Sequence, residues 1–222
     1  MEYDVVIVGA GPAGLAASIR LKQLAAETGR EIAVCVLEKG SEVGAHILSG
    51  AVIDPVALGE LFPDWQAMGA PLKTAVSEDR FYMLGPSGAV RLPNVLMPRL
   101  MDNHGKYAAS LGNLCRWLAQ QAEGMGVEIY PGFAASELVT RADGSIAGVV
   151  AGVAGIARNG EPKPDFQPGM EIIGKYVFIA EGARGSLAKE IIAKFDLSAG
   201  KEPQKFGLGM KELWEVLPEK HK

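Results

Sequence analysis

The glycine-rich stretch at residues 9–14 constrains the fold of this chain more than any other feature. It reads Gly-Ala-Gly-Pro-Ala-Gly and fits the G-x-G-x-x-G pattern of a dinucleotide-binding turn. The apolar run 4–8 before it is typical of a parallel strand that is buried on both faces. Helical composition over Leu15–Leu24 and a second apolar run over Glu31–Leu37 follow. Strand, helix and strand joined by short links predict a right-handed βαβ unit over residues 3–38.

Each glycine of this turn has a separate physical role. Gly9 permits the tight turn from strand to helix, Gly11 leaves room for a pyrophosphate, and Gly14 lets the helix pack closely on the sheet. The helix N-terminus then offers N–H groups and a partial positive charge to the phosphates. Glu38 ends the second strand, 24 residues after Gly14, which is near the spacing of about 20 residues expected for the ribose-binding acid. We expect its carboxylate to accept hydrogen bonds from ribose hydroxyls and to repel the 2′-phosphate of NADP.

The βαβ unit alone does not distinguish FAD from NAD. Two later stretches favour FAD. Small residues close the stretch 48–51, just beyond the second strand, and a strand over 178–180 ends in the small-residue turn 181–183. Flavoproteins with two dinucleotide-binding domains return to the cofactor at such points, which is an argument from resemblance and not from the residues alone.

Apolar periodicity and turn-forming residues predict the remaining elements, some of them inserted hairpins. They are a helix over 55–61 with Asp54 as its N-cap and Pro55 as its first residue, a hairpin over 80–92, a helix that begins near Leu111 and is stopped by Gly124, a strand over 127–130, a hairpin around Asp143-Gly144, a strand over 176–180, a helix over 187–194 and a strand-like run over Phe206–Leu217. The polar, proline-rich stretch 159–169 is expected to be a surface excursion.

Composition excludes some classes of function. The net charge is −4 and no basic stripe is visible, which argues against a nucleic-acid partner. The two cysteines, Cys35 and Cys115, have no metal-ligand spacing and are too few to hold an iron–sulfur cluster, so we interpret them as core residues and predict no metal ligand. His104 lies in a loop, where a backbone hydrogen bond is the favoured interpretation over a catalytic base. We predict no catalytic residue.

Residues 55–65 carry an apolar set that has two interpretations. From the residues alone, ordinary core packing is favoured. The alternative is a membrane-surface element with Trp65 at the interface. The set consists of Val56, Leu58, Leu61, Phe62 and Trp65.

Seven short stretches resemble the electron transfer flavoprotein–ubiquinone oxidoreductases, in the same order and with similar spacing through the whole chain. They are AHILSGA at 45–51, ELFPDW at 60–65, EDRF at 78–81, NHG at 103–105, GVEIYPG at 126–132, AEG at 180–182 and KELW at 211–214. This resemblance is far more specific than the glycine pattern.

The resemblance implies an α/β, FAD-binding Rossmann-like fold of the two-dinucleotide-binding flavoprotein kind, with inserted β-hairpins and the C-terminal part missing. Enzymes of this family are electron-transferring-flavoprotein dehydrogenases: they pass electrons from reduced electron transfer flavoprotein to ubiquinone. They use FAD and a four-iron–four-sulfur cluster, which we expect only in the full-length protein. We therefore interpret the chain as an N-terminal portion of such an enzyme and expect no turnover by it alone.

The family's position on a membrane surface favours the membrane interpretation of residues 55–65. It implies a peripheral protein on the cytoplasmic face of a bacterial inner membrane, or on the matrix face of the mitochondrial inner membrane. It also implies four segments: 1–75 and 105–199 in the FAD-binding domain, 76–104 at the start of a quinone-domain hairpin, and 200–222 as the first strand of a truncated quinone-binding domain. Carried over to this sequence, the cofactor-binding residues are Gly9, Gly11, Pro12, Ala13, Gly14, Glu38, Lys39, Leu48, Ser49, Gly50, Ala51 and Gly182.

Two other functions stay open at this point. One is a flavin-dependent reductase or hydroxylase of a lipid-like substrate, of the prenyl-reductase type, and NAD(P)H consumption would support it. The other is a non-catalytic FAD-binding fragment. The turn at Glu181–Gly185 bears on the first, since flavin hydroxylases carry an Asp-Gly motif there. Arg184 in this turn has two equally weighted interpretations, a phosphate contact or a solvated side chain.

Overall fold

The computed structural model describes residues 1–47, 50–157, 159–207, 210 and 215–220. Its centre is the predicted βαβ unit: strand β1 (Glu2–Val8), helix α1 (Pro12–Glu27) and strand β2 (Val34–Glu38). The two strands pair in parallel, and Val8 lies opposite Leu37. The βαβ prediction is therefore confirmed, although β2 begins later than expected.

The other elements follow in chain order. The strands are β3 (Gly50–Ile53), β4 (Thr74–Ala75), β5 (Phe81–Gly85), β6 (Gly88–Leu92), β7 (Tyr107–Ser110), β8 (Glu128–Pro131), β9 (Ala135–Thr140), β10 (Ile146–Ala151), β11 (Ala154–Ile156), β12 (Pro162–Gln167) and β13 (Met170–Ile179). The helices are α2 (Val56–Leu61), α3 (Leu111–Gly124) and α4 (Ser186–Lys194), with short 3-10 turns at Asn94–Leu96, Arg99–Met101 and Pro218–Lys220.

The main sheet has six strands in the order β8-β2-β1-β13-β10-β9. The first four are parallel, and β10 and β9 are antiparallel additions. β1 pairs with β13 along its length, from Glu2 opposite Ile173 to Val8 opposite Ile179. The carboxyl ends of the parallel strands therefore meet at one edge, which is where open α/β sheets bind ligands.

Both faces of the central parallel strands β1 and β2 are buried, which explains why their sequences are continuous apolar runs, whereas Tyr176 and Phe178 of β13 are exposed. Ile7 and Val36 face α1 and α3, whereas Val6 and Leu37 face the opposite side, where Leu187 of α4 is buried. Cys35 and Cys115 lie in this core, as predicted. Burial raises the pKa of the Cys35 thiol to about 12 and that of the Cys115 thiol to about 11, so both stay protonated at neutral pH.

Three smaller strand systems surround the sheet. β3, β7 and β4 form a three-stranded sheet, and β11 pairs with β12. β5 and β6 form the predicted hairpin, with Phe81 opposite Leu92 and Gly85 opposite Gly88. The hairpin predicted around Asp143-Gly144 is confirmed as the connection between β9 and β10.

α2 begins one residue later than predicted, after Pro55, but Asp54 caps it as predicted, since its carboxylate accepts a hydrogen bond from the Val56 N–H at 3.1 Å. The stretch 159–169 lies on the surface, as predicted: it contains β12, and every residue of that strand is exposed.

The run Phe206–Leu217 forms no strand in its described residues, which are 206, 207, 210 and 215–217. The strand predicted there is therefore not seen in that part of the chain. Its remaining residues, including the stretch 211–214, lie outside the described residues. Among the helices of the described residues, none combines the length and the apolar character that crossing a membrane requires.

Candidate dinucleotide-binding site

The turn after β1 lies where three strands end. The Gly9 N–H donates to Leu37 O of β2 at 2.8 Å, and the Ala180 N–H, just after β13, donates to Val8 O at 2.8 Å. Gly9 has a φ of +108°, and a Cβ there would lie 2.5 Å from Ala180 O. Only glycine therefore fits this position, for both conformational and steric reasons.

Gly14 brings α1 against the turn itself. A Cβ at this position would lie 2.0 Å from Gly9 O and 3.2 Å from Cγ2 of Ile7. The helix axis can stay this close to β1 only because Gly14 has no side chain. The predicted packing role of this glycine is confirmed.

Gly11 differs from the other two glycines of the pattern. Its φ of −79° and ψ of −179° suit any residue, and a Cβ there would meet no heavy atom within 4 Å. Backbone strain and packing therefore do not require glycine at this position. The open space beside Gly11 is the room that the sequence pattern reserves for a ligand's phosphates.

The N-terminus of α1 has the properties of an anion-binding site. No described side chain caps it, its first turn holds no acidic residue, and Pro12 at the start has no N–H of its own. The N–H groups of Ala13 and Gly14 belong to the first turn and have no carbonyl partner within the helix. These groups and the helix dipole suit a pyrophosphate.

Glu38 orders the turn in a way that the sequence did not reveal. One carboxylate oxygen accepts from the Ala10 N–H at 3.0 Å, and the other accepts from the Gly40 N–H at 2.7 Å. The side chain thus bridges the end of β2 to the phosphate-side turn. Each oxygen keeps a second lone pair, so the carboxylate can still accept from a ribose hydroxyl.

The remaining predicted site residues that the structure describes lie at or near the same edge. Lys39 is exposed next to Glu38, and Gly182 is exposed with a φ of +79°, two residues after Ala180. Gly50 and Ala51 belong to β3 and pair with β7. Leu48 and Ser49 lie outside the described residues.

β3 lies near this edge because it pairs with β7, which leads directly into the start of α3. Gly44 and Gly112 touch, since a Cβ on Gly44 would lie 2.8 Å from Gly112 O. The Ser110 hydroxyl accepts from the Asn113 N–H at 3.3 Å and caps α3. Because α3 leads into the parallel strand β8, its N-terminus lies at the carboxyl edge of the sheet. Serine before an apolar helical run is a cap signal that sequence reasoning missed.

Glu181 closes the turn after β13. Its carboxylate accepts from the Ser186 N–H at 3.2 Å and from the Ala188 N–H at 2.9 Å, and so caps α4. Gly185 makes room for it, since a Cβ there would lie 2.4 Å from Cβ of Glu181. The N-terminus of α4 therefore already holds a carboxylate. Arg184 stacks over Phe206, with its guanidinium carbon 5.2 Å from the ring centroid.

Replacing Glu181 by alanine is expected to lower the free energy of unfolding by about 1–2 kcal/mol, because α4 loses its cap. Urea unfolding of the purified chain measures this change. Glu190→Ala is the matched control, since Glu190 is exposed on α4 and is not its cap. Equal unfolding free energies for the wild type and Glu181→Ala would contradict the capping role.

Residues 55–65 do not form a membrane-facing element. Leu58, Phe62 and Trp65 are buried in the core, where Phe62 meets Trp117 edge-on with ring centroids 5.6 Å apart. Of the five apolar residues singled out, Val56 alone is highly exposed. The core interpretation is confirmed and the membrane interpretation of this stretch was wrong, because the helix is short and turns its apolar side chains inward.

Exposed apolar side chains instead gather in residues 80–102, here called the apolar excursion. It comprises the β5–β6 hairpin and the 3-10 turns at 94–96 and 99–101. Its large apolar side chains are exposed by between 43% and 93%; they are Tyr82, Met83, Leu84, Val90, Val95, Leu96, Leu100 and Met101. Exposed apolar side chains clustered in this way on a folded domain are typical of a contact with a partner or a membrane.

His104 and the described acidic residues form no further site. His104 is exposed, and its backbone N–H donates to Asp102 Oδ1 at 3.0 Å. Within the described ranges, no group of three or more histidine, cysteine, aspartate or glutamate side chains is arranged to hold a metal ion.

Comparisons with known proteins agree with this geometry. A family model described as an NAD(P)-binding Rossmann-like domain matches residues 7–60. The solved structure of a flavoprotein/dehydrogenase from Cytophaga hutchinsonii superposes with a TM-score of 0.53, covering 88% of this chain and 42% of that one at 17% identity. The fold is therefore Rossmann-like, as predicted, and is shared with a solved flavoprotein.

Curated relatives match the whole chain. The electron transfer flavoprotein-ubiquinone oxidoreductase of Pseudomonas aeruginosa is 58% identical, over 100% of this chain and 41% of its own length. The mitochondrial protein of that name from Dictyostelium discoideum is 55% identical, over 99% of this chain and 36% of its own length. The chain thus spans about two fifths of these relatives and corresponds to their N-terminal part, which confirms the predicted resemblance.

Proposed function

We propose, from the homology of the whole chain to the N-terminal part of electron transfer flavoprotein-ubiquinone oxidoreductases, that it supplies the FAD-binding portion of such an enzyme. The observation that carries the proposal is the open space at Gly11, in front of the N-terminus of α1, which no described side chain caps. An extended dinucleotide needs a close backbone approach and an anion site at this point.

The residues present fit FAD. The N–H groups of Ala13 and Gly14 would bind the pyrophosphate, and the Glu38 carboxylate would accept from the ribose of the adenosine half. By the family resemblance, Lys39, Gly50, Ala51 and Gly182 would lie beside the cofactor. When bound, FAD supplies reversible uptake and release of electrons. The chain's own residues hold and orient it, and none of them needs to move a proton.

In the family's reaction, electrons pass from reduced electron transfer flavoprotein to ubiquinone, and we propose the same partners for this chain. The 222 residues supply cofactor binding, and we propose that the four-iron–four-sulfur cluster implied by the family resemblance belongs to the rest of the full-length enzyme. The proposed segments are 1–75 and 105–199 for FAD, 76–104 as the start of a quinone-domain hairpin, and 200–222 as the start of that next domain.

Titration of the chain with FAD, monitored by calorimetry and by visible absorption, tests whether the chain binds this cofactor. We expect saturable binding of FAD and no comparable binding of NADP. The absence of FAD binding would overturn the proposal. Oxidation of NADPH by the FAD-loaded chain would favour a reductase of a lipid-like substrate instead.

Glu38→Gln is expected to weaken FAD binding about tenfold. The amide nitrogen of glutamine cannot accept from the N–H of Ala10 or Gly40, so one hydrogen bond that orders the turn is lost, along with the charge. Calorimetry measures the change in affinity. Glu31→Gln, at an exposed position before β2, is the matched control. Equal affinities for FAD in both variants would contradict the role of Glu38.

We also propose peripheral membrane association through the apolar excursion, in place of residues 55–65. Its exposed apolar side chains lie on a hairpin and two turns that project from the sheet domain, and Arg80, Arg91 and Arg99 lie among them. Apolar side chains flanked by arginines suit the boundary between lipid headgroups and acyl chains. The corresponding locations are the cytoplasmic face of a bacterial inner membrane or the mitochondrial matrix face.

A further inference from the structure

The apolar excursion has no core of its own. None of residues 73–111, all of which the structure describes, is buried. β5 and β6 pair with each other and with no other described strand. A cavity of about 370 Å³ lies among Phe81, Val95 and Met101, so the hairpin and the 3-10 turns are not closely packed together. Apolar packing therefore does not fix where the excursion stands.

Polar contacts at the base of the excursion do fix it. Asp79 precedes the excursion and Asn103 follows it. One Asp79 carboxylate oxygen accepts from the Asn103 N–H at 2.8 Å, and the other accepts from the Asn103 side-chain amide at 3.0 Å. Asn94, inside the excursion, donates its side-chain amide to Asp79 O at 3.0 Å.

The side-chain ion pairs of this region cannot replace this contact. Glu78 pairs with Arg80 and with Arg91, but all three side chains are about half exposed. Exposed ion pairs contribute little, and both arginines belong to the hairpin itself. By contrast, Asp79 and Asn103 are half-buried and join the two ends of the excursion. The Asn103 donors hold the pKa of the Asp79 carboxyl below its usual range, so it accepts as a carboxylate at neutral pH.

We propose that Asp79 is a positioning residue that holds the apolar excursion closed at its base through Asn103, in the arrangement that contacts the membrane. The inference rests on the membrane contact proposed above. It adds that the strength of this contact depends on Asp79, although Asp79 itself is not one of the side chains that enter the membrane. With the contact broken, the excursion is held only by the backbone contacts beneath it, the pairing of β4 with β7 and the Val76 N–H donating to Lys106 O at 2.9 Å, so residues 79–103 move more freely. Binding must then order them, which lowers affinity although every apolar side chain is still present.

The test measures partition of the FAD-loaded chain onto vesicles of phosphatidylcholine and phosphatidylglycerol. Asp79→Asn and Asn103→Asp are compared with the wild type and with the double variant that carries both changes. Each single variant is expected to weaken partition about tenfold, since one loses an acceptor and the other faces two carboxylates. The double variant exchanges donor and acceptor, restores both hydrogen bonds and is expected to return to within about threefold of the wild type.

Two further readouts separate positioning from general stability. FAD affinity and the urea midpoint are expected to stay unchanged in all variants, whereas trypsin is expected to cut faster at Arg91 and Arg99 in the single variants. Asp143→Asn is the matched control, because Asp143 also accepts two hydrogen bonds, from Ser145, but in the remote β9–β10 turn. It is expected to leave partition unchanged.

Each outcome decides between the two proposals. Weakened single variants with a restored double variant support the positioning role. Equal partition of the wild type and all variants overturns it and leaves the membrane contact standing. A double variant as weak as the single ones, or a parallel loss of FAD affinity, also overturns it. A wild-type chain that binds FAD but no vesicles overturns the membrane contact and this inference together.

Discussion

Replacing Gly11 by valine is expected to weaken FAD binding at least about hundredfold without lowering the free energy of unfolding. The backbone at Gly11 is extended, and a Cβ there meets nothing within 4 Å, so the fold accepts a side chain. The same side chain occupies the space that the pyrophosphate needs. Losing two charge-assisted hydrogen bonds, at about 1.5–3 kcal/mol each, corresponds to this loss of affinity. Calorimetric titration with FAD and urea unfolding measure the two quantities.

Gly14→Val is the matched control for this substitution. Its Cβ would overlap Gly9 O at 2.0 Å, so α1 must move away from β1 and the free energy of unfolding falls by several kcal/mol. The two glycines belong to one pattern, yet Gly11 is required for ligand binding and Gly14 for the packing of the fold. A Gly11→Val chain that binds FAD normally would place the phosphates elsewhere and would contradict the proposed site.

Replacing Leu84 and Leu100 together by serine is expected to lower vesicle partition at least about hundredfold. These two side chains are the most exposed leucines of the apolar excursion, at 79% and 93%. Each contributes about 1.5–3 kcal/mol when it leaves water for the acyl region, so removing both exceeds a factor of one hundred. Vesicle sedimentation of the FAD-loaded chain measures the change. Folding is expected to be unaffected, because neither side chain packs against the core.

Leu24→Ser is the control for surface hydrophobicity. Leu24 is exposed by 41% on α1, outside the apolar excursion, and its replacement is expected to leave vesicle partition unchanged. Equal partition of the wild type and the Leu84/Leu100 double variant would show that the excursion contacts no lipid, and a protein partner would then be its occupant.

Local patterns were sufficient to predict the βαβ unit. Its strands are short apolar runs and its turn needs glycine, so period, length and turn chemistry all indicate the same structure. The buried thiols and the β5–β6 hairpin are likewise local consequences of sequence. Where several signals agreed, as at residues 3–38, the prediction and the structure coincide.

Contacts across long stretches of chain could not be predicted in this way. The bond from Glu38 to the Ala10 N–H, the Glu181 cap on α4 and the clamp between Asp79 and Asn103 all depend on side-chain direction in three dimensions. The apolar set at 55–65 shows the same limit. Its composition suits either a core or a membrane, and only the position of Trp65 against Tyr107, with ring centroids 5.5 Å apart, distinguishes them.

The pairing of β1 with β13 has a consequence for synthesis on the ribosome. Glu2 cannot pair until Ile173 has been synthesised, and the Gly9 turn cannot pack until Ala180 has been synthesised. At 5–20 residues per second, this delay is roughly 10–30 seconds. During that time the run Val5–Val8 can pair with β2, but its other edge stays open. A nascent chain in this state exposes an apolar strand edge, which is a substrate for chaperones, and it acquires its dinucleotide pocket only near the end of these 222 residues.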